Sequence, residues 1–146
     1  MQHHLILKIV TKSLVGIILL FGLYVQFHGD YSPGGGFQAG VIFAAGFILY
    51  GIVMGLDKVQ AVLPFWIVQK LAALGVLIYA LTGIFSVFMG YNYLDYAVFS
   101  PQHPEHGQHW GILVVELGVG ITVTGVIICI YYCFASRTPH IDDAEW

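Results

Sequence analysis

Glu116 stands in the run GILVVELGVGITVTG, with apolar residues on either side. A carboxylate in such surroundings is costly unless it is paired, solvated or protonated, so it is a functional candidate by default. It can hold a proton, attract Na+ or pair with a cation on another chain. Gly120 and Thr124 follow at i+4 and i+8, which draws a small, polar stripe down one helical face toward a partner helix. A second titratable group, His28, closes the apolar run that carries Tyr24 and Gln26. Imidazole titrates near neutral pH. A proton relay between His28 and Glu116 is one reading, and an interfacial histidine without a transport role is the other.

Between His28 and the next apolar run lies Ser32-Pro33-Gly34-Gly35-Gly36-Phe37-Gln38-Ala39-Gly40. Pro33 fixes its own φ and restrains Ser32, while three consecutive glycines permit backbone conformations closed to other residues. Backbone N–H groups beside a helix start can face an ion, water or another chain. A phosphate-binding loop needs Lys and Ser or Thr just after its last glycine. Here Gly40 is followed by Val41 and Ile42, which argues against nucleotide binding. Gly36, Gly40 and Ala44 fall at i, i+4 and i+8, a face suited to close helix packing. Packing and a share in an ion path both remain open for this stretch.

Other reactive side chains fall into weaker patterns. His103, His106 and His109 recur every third residue around Glu105, and imidazole with carboxylate suits zinc. The spacing is not that of a metalloprotease helix, and Pro101 and Pro104 interrupt any regular helix through it. A solvated loop is expected, with no metal. Cys129 and Cys133 read as two small apolar side chains one turn apart rather than a disulfide framework. No nucleophile sits near a base in sequence, so neither a cofactor nor enzymatic activity is expected.

These groups have to be carried by elements that live in lipid. Apolar residues make up 58% of the 146-residue chain and charged residues only 9%, and the mean hydropathy is +0.83. Soluble domains carry about 25% charged residues. So few charges cannot cover a water-facing surface, and a net charge of −3 without a basic patch excludes nucleic acid as a partner. About 20 apolar residues span a bilayer as a helix. Four runs qualify, from about Leu5 to Phe27, Phe37 to Leu56, Phe65 to Met89 and Trp110 to Phe134. The expectation is an all-α membrane protein, one bundle of four transmembrane helices over residues 1–146 with a short tail from Ser136. The first run is too long for a signal sequence and is read as a retained helix. Glu116 then lies roughly 9 Å into the membrane from Trp110. Tyr91, Tyr93, Tyr96 and Trp110 read as an interfacial belt, and Gly51 and Gly55 as a further packing face. Lys8, Lys12, Lys58, Lys70 and Arg137 all fall on one side of such a bundle, which places both termini in the cytoplasm and the glycine loop outside.

The stretch His28-Gly29-Asp30-Tyr31-Ser32-Pro33-Gly34-Gly35-Gly36-Phe37-Gln38-Ala39-Gly40 resembles the signature of the B subunit of Mrp-type (Mnh or Pha) sodium/proton antiporters. The matching positions are His28, Gly29, Pro33, Gly34, Gly35, Gly36, Phe37 and Gly40, and the likeness covers most of the chain. Related domains occur in membrane-bound hydrogenases. The resemblance implies a small membrane subunit of a multisubunit Na+/H+ antiporter in a bacterial or archaeal cell membrane. Its implied partners are other small hydrophobic subunits and two large subunits like the pumping subunits of respiratory complex I. It also implies an acidic site in the fourth helix, commonly Asp, where this chain has Glu116. Glu116 and His28 are then the candidates for ion or proton handling. Pro33, Gly34, Gly35, Gly36, Phe37 and Gly40 shape the loop and the subunit interface. A redox-driven pump subunit or a purely structural scaffold are the alternatives.

Overall fold

The computed structural model describes residues 2–29, 34–100 and 102–137; Pro33 and the acidic tail lie outside them. The chain is an all-α, multi-pass membrane protein. Four helices are long and apolar enough to cross a bilayer: α1 (Gln2–Phe27), α2 (Gly36–Met54), α4 (Phe65–Phe88) and α5 (Pro104–Ala135). The short α3 (Leu56–Val62) joins α2 to α4, and a 3-10 turn (Tyr96–Phe99) precedes α5.

Two boundaries differ from the sequence expectation. The polar stretch after Leu56, read as a loop, folds into α3. Gly55, at φ 99°, reverses the chain there, and Val59 is fully buried against the bundle. The last helix starts at Pro104, six residues before the expected Trp110. Proline is favoured at a first helical position, because the N–H that it lacks has no intrahelical acceptor there. At 32 residues α5 runs about 48 Å, so its first turns stand clear of a hydrocarbon core about 30 Å thick. His106 and His109 are therefore on a helix, not in a loop.

The spans lie as a row in the order α1, α2, α5, α4, with α5 packed between α2 and α4. Small residues permit this. A Cβ at Gly125 would stand 2.9 Å from the Ala72 nitrogen, and one at Gly118 2.9 Å from the Gly75 oxygen. Thr122 donates a hydrogen bond to the Gly118 oxygen at 2.9 Å. Without a hydrophobic driving force between helices in lipid, such close backbone approach supplies the packing. At the end near α3, Ala44, Val59, Val68, Ile128 and Tyr132 form the buried cluster. The Tyr132 hydroxyl donates to the Leu63 oxygen at 2.8 Å and ties α5 to the α3–α4 connection.

Alternation of the spans puts Lys8, Lys12, Lys58, Lys70 and Arg137 at this same end. Lys70 Nζ sits 4.7 Å from the Trp66 ring centroid, a cation–π contact typical of a side chain reaching for the interface. The glycine loop and the segment before α5 occupy the opposite end.

Candidate functional site

The end of α1 and the start of α2 close on one backbone oxygen. The Val25 carbonyl accepts from the His28 N–H at 3.4 Å and from the Gly35 N–H at 3.3 Å. This clasp folds the glycine stretch back over the end of α1, and Gly34 packs where a Cβ would stand 3.0 Å from the same oxygen. Gly35 has φ 126°, a conformation that side chains disfavour. α2 begins at the next residue, Gly36.

Glu116 of α5 enters this loop. A Cβ at Gly29 would stand 2.9 Å from Oε2, and one at Gly35 2.8 Å from Oε1. A Cβ at Gly36 would collide with the Glu116 backbone carbonyl. Three glycines from the loop thus leave just the room that the glutamate fills. The carboxyl is half-buried. It borders an open cleft of about 310 Å3, flanked by Gly34, Gln38, Val115 and Val119. The N-terminal turn of α2, whose first N–H groups have no intrahelical acceptor, starts at the residue that touches Glu116. The positive end of that helix dipole is therefore beside the carboxyl. A carboxyl held in this way, beside an open cleft, has the chemistry to bind a small cation or a proton.

One turn further along α5, Gly120 and Gly40 meet. A Cβ at Gly40 would stand 2.7 Å from the Gly120 oxygen. The Thr124 hydroxyl bridges the two helices, 2.7 Å from the Gly120 oxygen and 3.2 Å from the Gly40 oxygen. The α1 side chain Gln26 reaches the same level, where a Cβ at Gly120 would stand 2.6 Å from its Oε1.

The structure brings Glu116 together with Gly35 and Gly36, and adds Gly29. His28, next to Gly29, is half-buried and stacks on Tyr24 with ring centroids 4.7 Å apart. Phe37 borders the same cleft as the carboxyl and is 63% exposed. Pro33 lies outside the described residues. The role of Gly29 as a wall of the Glu116 site was not visible in sequence, since nothing local links two residues so far apart along the chain. Among the described residues, no three His, Cys, Asp or Glu side chains are grouped as metal ligands. His103 and His106 meet edge to face, with ring centroids 5.9 Å apart.

Residues 6–129 match the family model MnhB, a domain related to the MnhB subunit of Na+/H+ antiporters. A Staphylococcus haemolyticus protein named "Putative antiporter subunit mnhB2" is 39% identical over 131 residues, covering 88% of this chain and 92% of its own length. Proteins of the same name from Staphylococcus epidermidis and Staphylococcus aureus are 36% identical over the same shares.

Proposed function

From the premise that the chain belongs to the MnhB family, we propose that it is a small membrane subunit of a multisubunit Na+/H+ antiporter in which Glu116 handles the transported cation or proton. The observation that carries this reading is the fit of the Glu116 carboxyl among Gly29, Gly35 and Gly36, open to a cleft at one membrane end. One carboxyl that takes either a proton or Na+, but not both, is the simplest element of exchange between the two. His28, one residue from the cradle, is the second candidate for ion or proton handling. The names of the relatives favour an antiporter over a redox-driven pump.

The spans bury little of themselves. Between 11% and 33% of their apolar windows are buried within the chain, which leaves broad faces for lipid and for neighbouring subunits. The exposed Phe37 and the outer side of the glycine loop belong to such an interface in this proposal, with large complex-I-like subunits as the neighbours. The basic end is placed in the cytoplasm and the Glu116 end outside, because cytoplasmic ends retain Lys and Arg.

The test is Glu116→Gln in the assembled complex, with Na+-driven proton movement followed by a pH-sensitive dye in membrane vesicles. Loss of exchange in a fully assembled complex is expected. Unchanged exchange would assign the chain to a scaffold.

A further inference from the structure

Gln26 is 5% exposed near the end of α1, within a membrane-spanning segment. The side-chain hydrogen bonds of Thr82, Ser86, Asp95, Thr122, Thr124, Tyr132 and Ser136 do not employ the Gln26 amide. Every sealed side-chain polar atom among the described residues has a partner. The Gln26 amide therefore keeps contact with open space. That space is a cleft of about 270 Å3 to which all four spans contribute, among them Phe27 of α1, Phe43 of α2, Leu71 of α4 and Thr124 of α5. An amide in hydrocarbon without a hydrogen bond is costly, so the cleft has to supply a partner.

The position of Gln26 identifies that partner. Its Oε1 lies against Gly120, and the Gly36 oxygen borders the same point, 3.2 Å from where a Cβ at Gly120 would stand. Gly120 is one turn below Glu116 on the same face of α5, about 6 Å along the axis. The interval is lined by polar atoms: the Glu116 carboxyl stands at Gly29 and Gly35, the Glu116 backbone carbonyl at Gly36, and Gln26 Oε1 with the Gly36 oxygen at Gly120. The two clefts also flank this line. The outer one has Val115 and Val119 on its α5 wall, and the inner one has Leu117 and Ile121.

We propose that Gln26 and the Gly36 carbonyl form a second polar station, one helical turn deeper than Glu116, at which water links the Glu116 site to the inner cleft. This rests on the reading of Glu116 as an ion-handling group. Water here is the carrier for a proton or for a cation with part of its hydration shell. The inner cleft has room for several molecules at about 30 Å3 each. Its apolar walls confine them to the end where Gln26 and Thr124 offer oxygen.

The test uses the assembled complex with Cys129 and Cys133 replaced by Ala. Gln26→Cys is exposed in membranes to a small aminoethyl methanethiosulfonate, which reacts with thiolate and so reports water at the thiol. Modification at least about tenfold faster than at Leu20→Cys, a lipid-facing control, is expected. Gln26→Leu, in a complex that still assembles, is expected to lose most of its exchange, with partial recovery in Gln26→Asn. Gln26→Cys that stays unmodified, or Gln26→Leu that exchanges like the parent, overturns the proposal. An unmodified Gln26→Cys together with a Gln26→Leu complex that falls apart also overturns it, and assigns the amide to a helix of another subunit. Full exchange in Glu116→Gln is a separate result and removes the underlying reading instead.

Discussion

The Glu116 carboxyl occupies the place that a side chain on Gly35 would take, with Oε1 2.8 Å from the Cβ position of that residue. Gly35 and Gly36 of the three-glycine run, with Gly29, are thus the mould of a glutamate contributed by another helix. The run is also the N-terminal cap of α2 and the closing clasp on α1. A motif that reads as flexible in sequence is tightly specified in the fold.

Alanine in the mould has to hurt, and alanine at the open position Gly16 does not. At Gly36 a methyl group would strike the Glu116 backbone, which cannot move aside without separating α2 from α5. Gly36→Ala is expected to cost about 3 kcal/mol or more. Gly35→Ala adds about 1–3 kcal/mol of backbone strain at φ 126° to its clash with the carboxyl. Gly16, with nothing within 4 Å of its Cβ position, is the control. Gly16→Ala is expected to be neutral or to stabilise by up to about 1 kcal/mol. Thermal unfolding in mild detergent checks all three.

Tyr132→Phe separates stability from transport. The hydroxyl is bonded to the Leu63 oxygen at 2.8 Å, in the buried cluster at the end opposite Glu116. Its removal is expected to cost about 1 kcal/mol and to lower the unfolding temperature. Exchange by the assembled complex should be unaltered at temperatures where it stays folded.

The orientation is open to direct labelling. With Cys129 and Cys133 replaced by Ala, Gln102→Cys and Lys58→Cys place single thiols at exposed positions on opposite ends of the bundle. A membrane-impermeant maleimide added to intact cells is expected to modify Gln102→Cys and spare Lys58→Cys. The reverse pattern would put the Glu116 cleft on the cytoplasmic side.

Much of the architecture was legible in the chain. Each span announces itself by its own apolar run, because transfer of a helix into lipid is close to a sum over its residues. The grouping of the five basic residues at one end follows from counting spans. Glu116 stood out for the same reason, as a carboxyl within such a run. The errors were local. The sequence after Leu56 was read as a break between two spans, yet Val59 finds a buried seat and α3 forms. Pro104 looked like an interruption, and it is a start.

What the sequence by itself determined was the number of spans, their alternation and the presence of a carboxyl among them. Tertiary structure alone decided that α5 is an inner helix of the row and that its Glu116 fills the space left by Gly29, Gly35 and Gly36. It also decided that Gln26 opens on an inner cleft. The physical reason is that hydropathy is a property of each segment taken singly, whereas the meeting of residues far apart in the chain depends on where backbones can touch. Those contacts are set by small residues on facing helices, and nothing in one helix says which face of another it will meet.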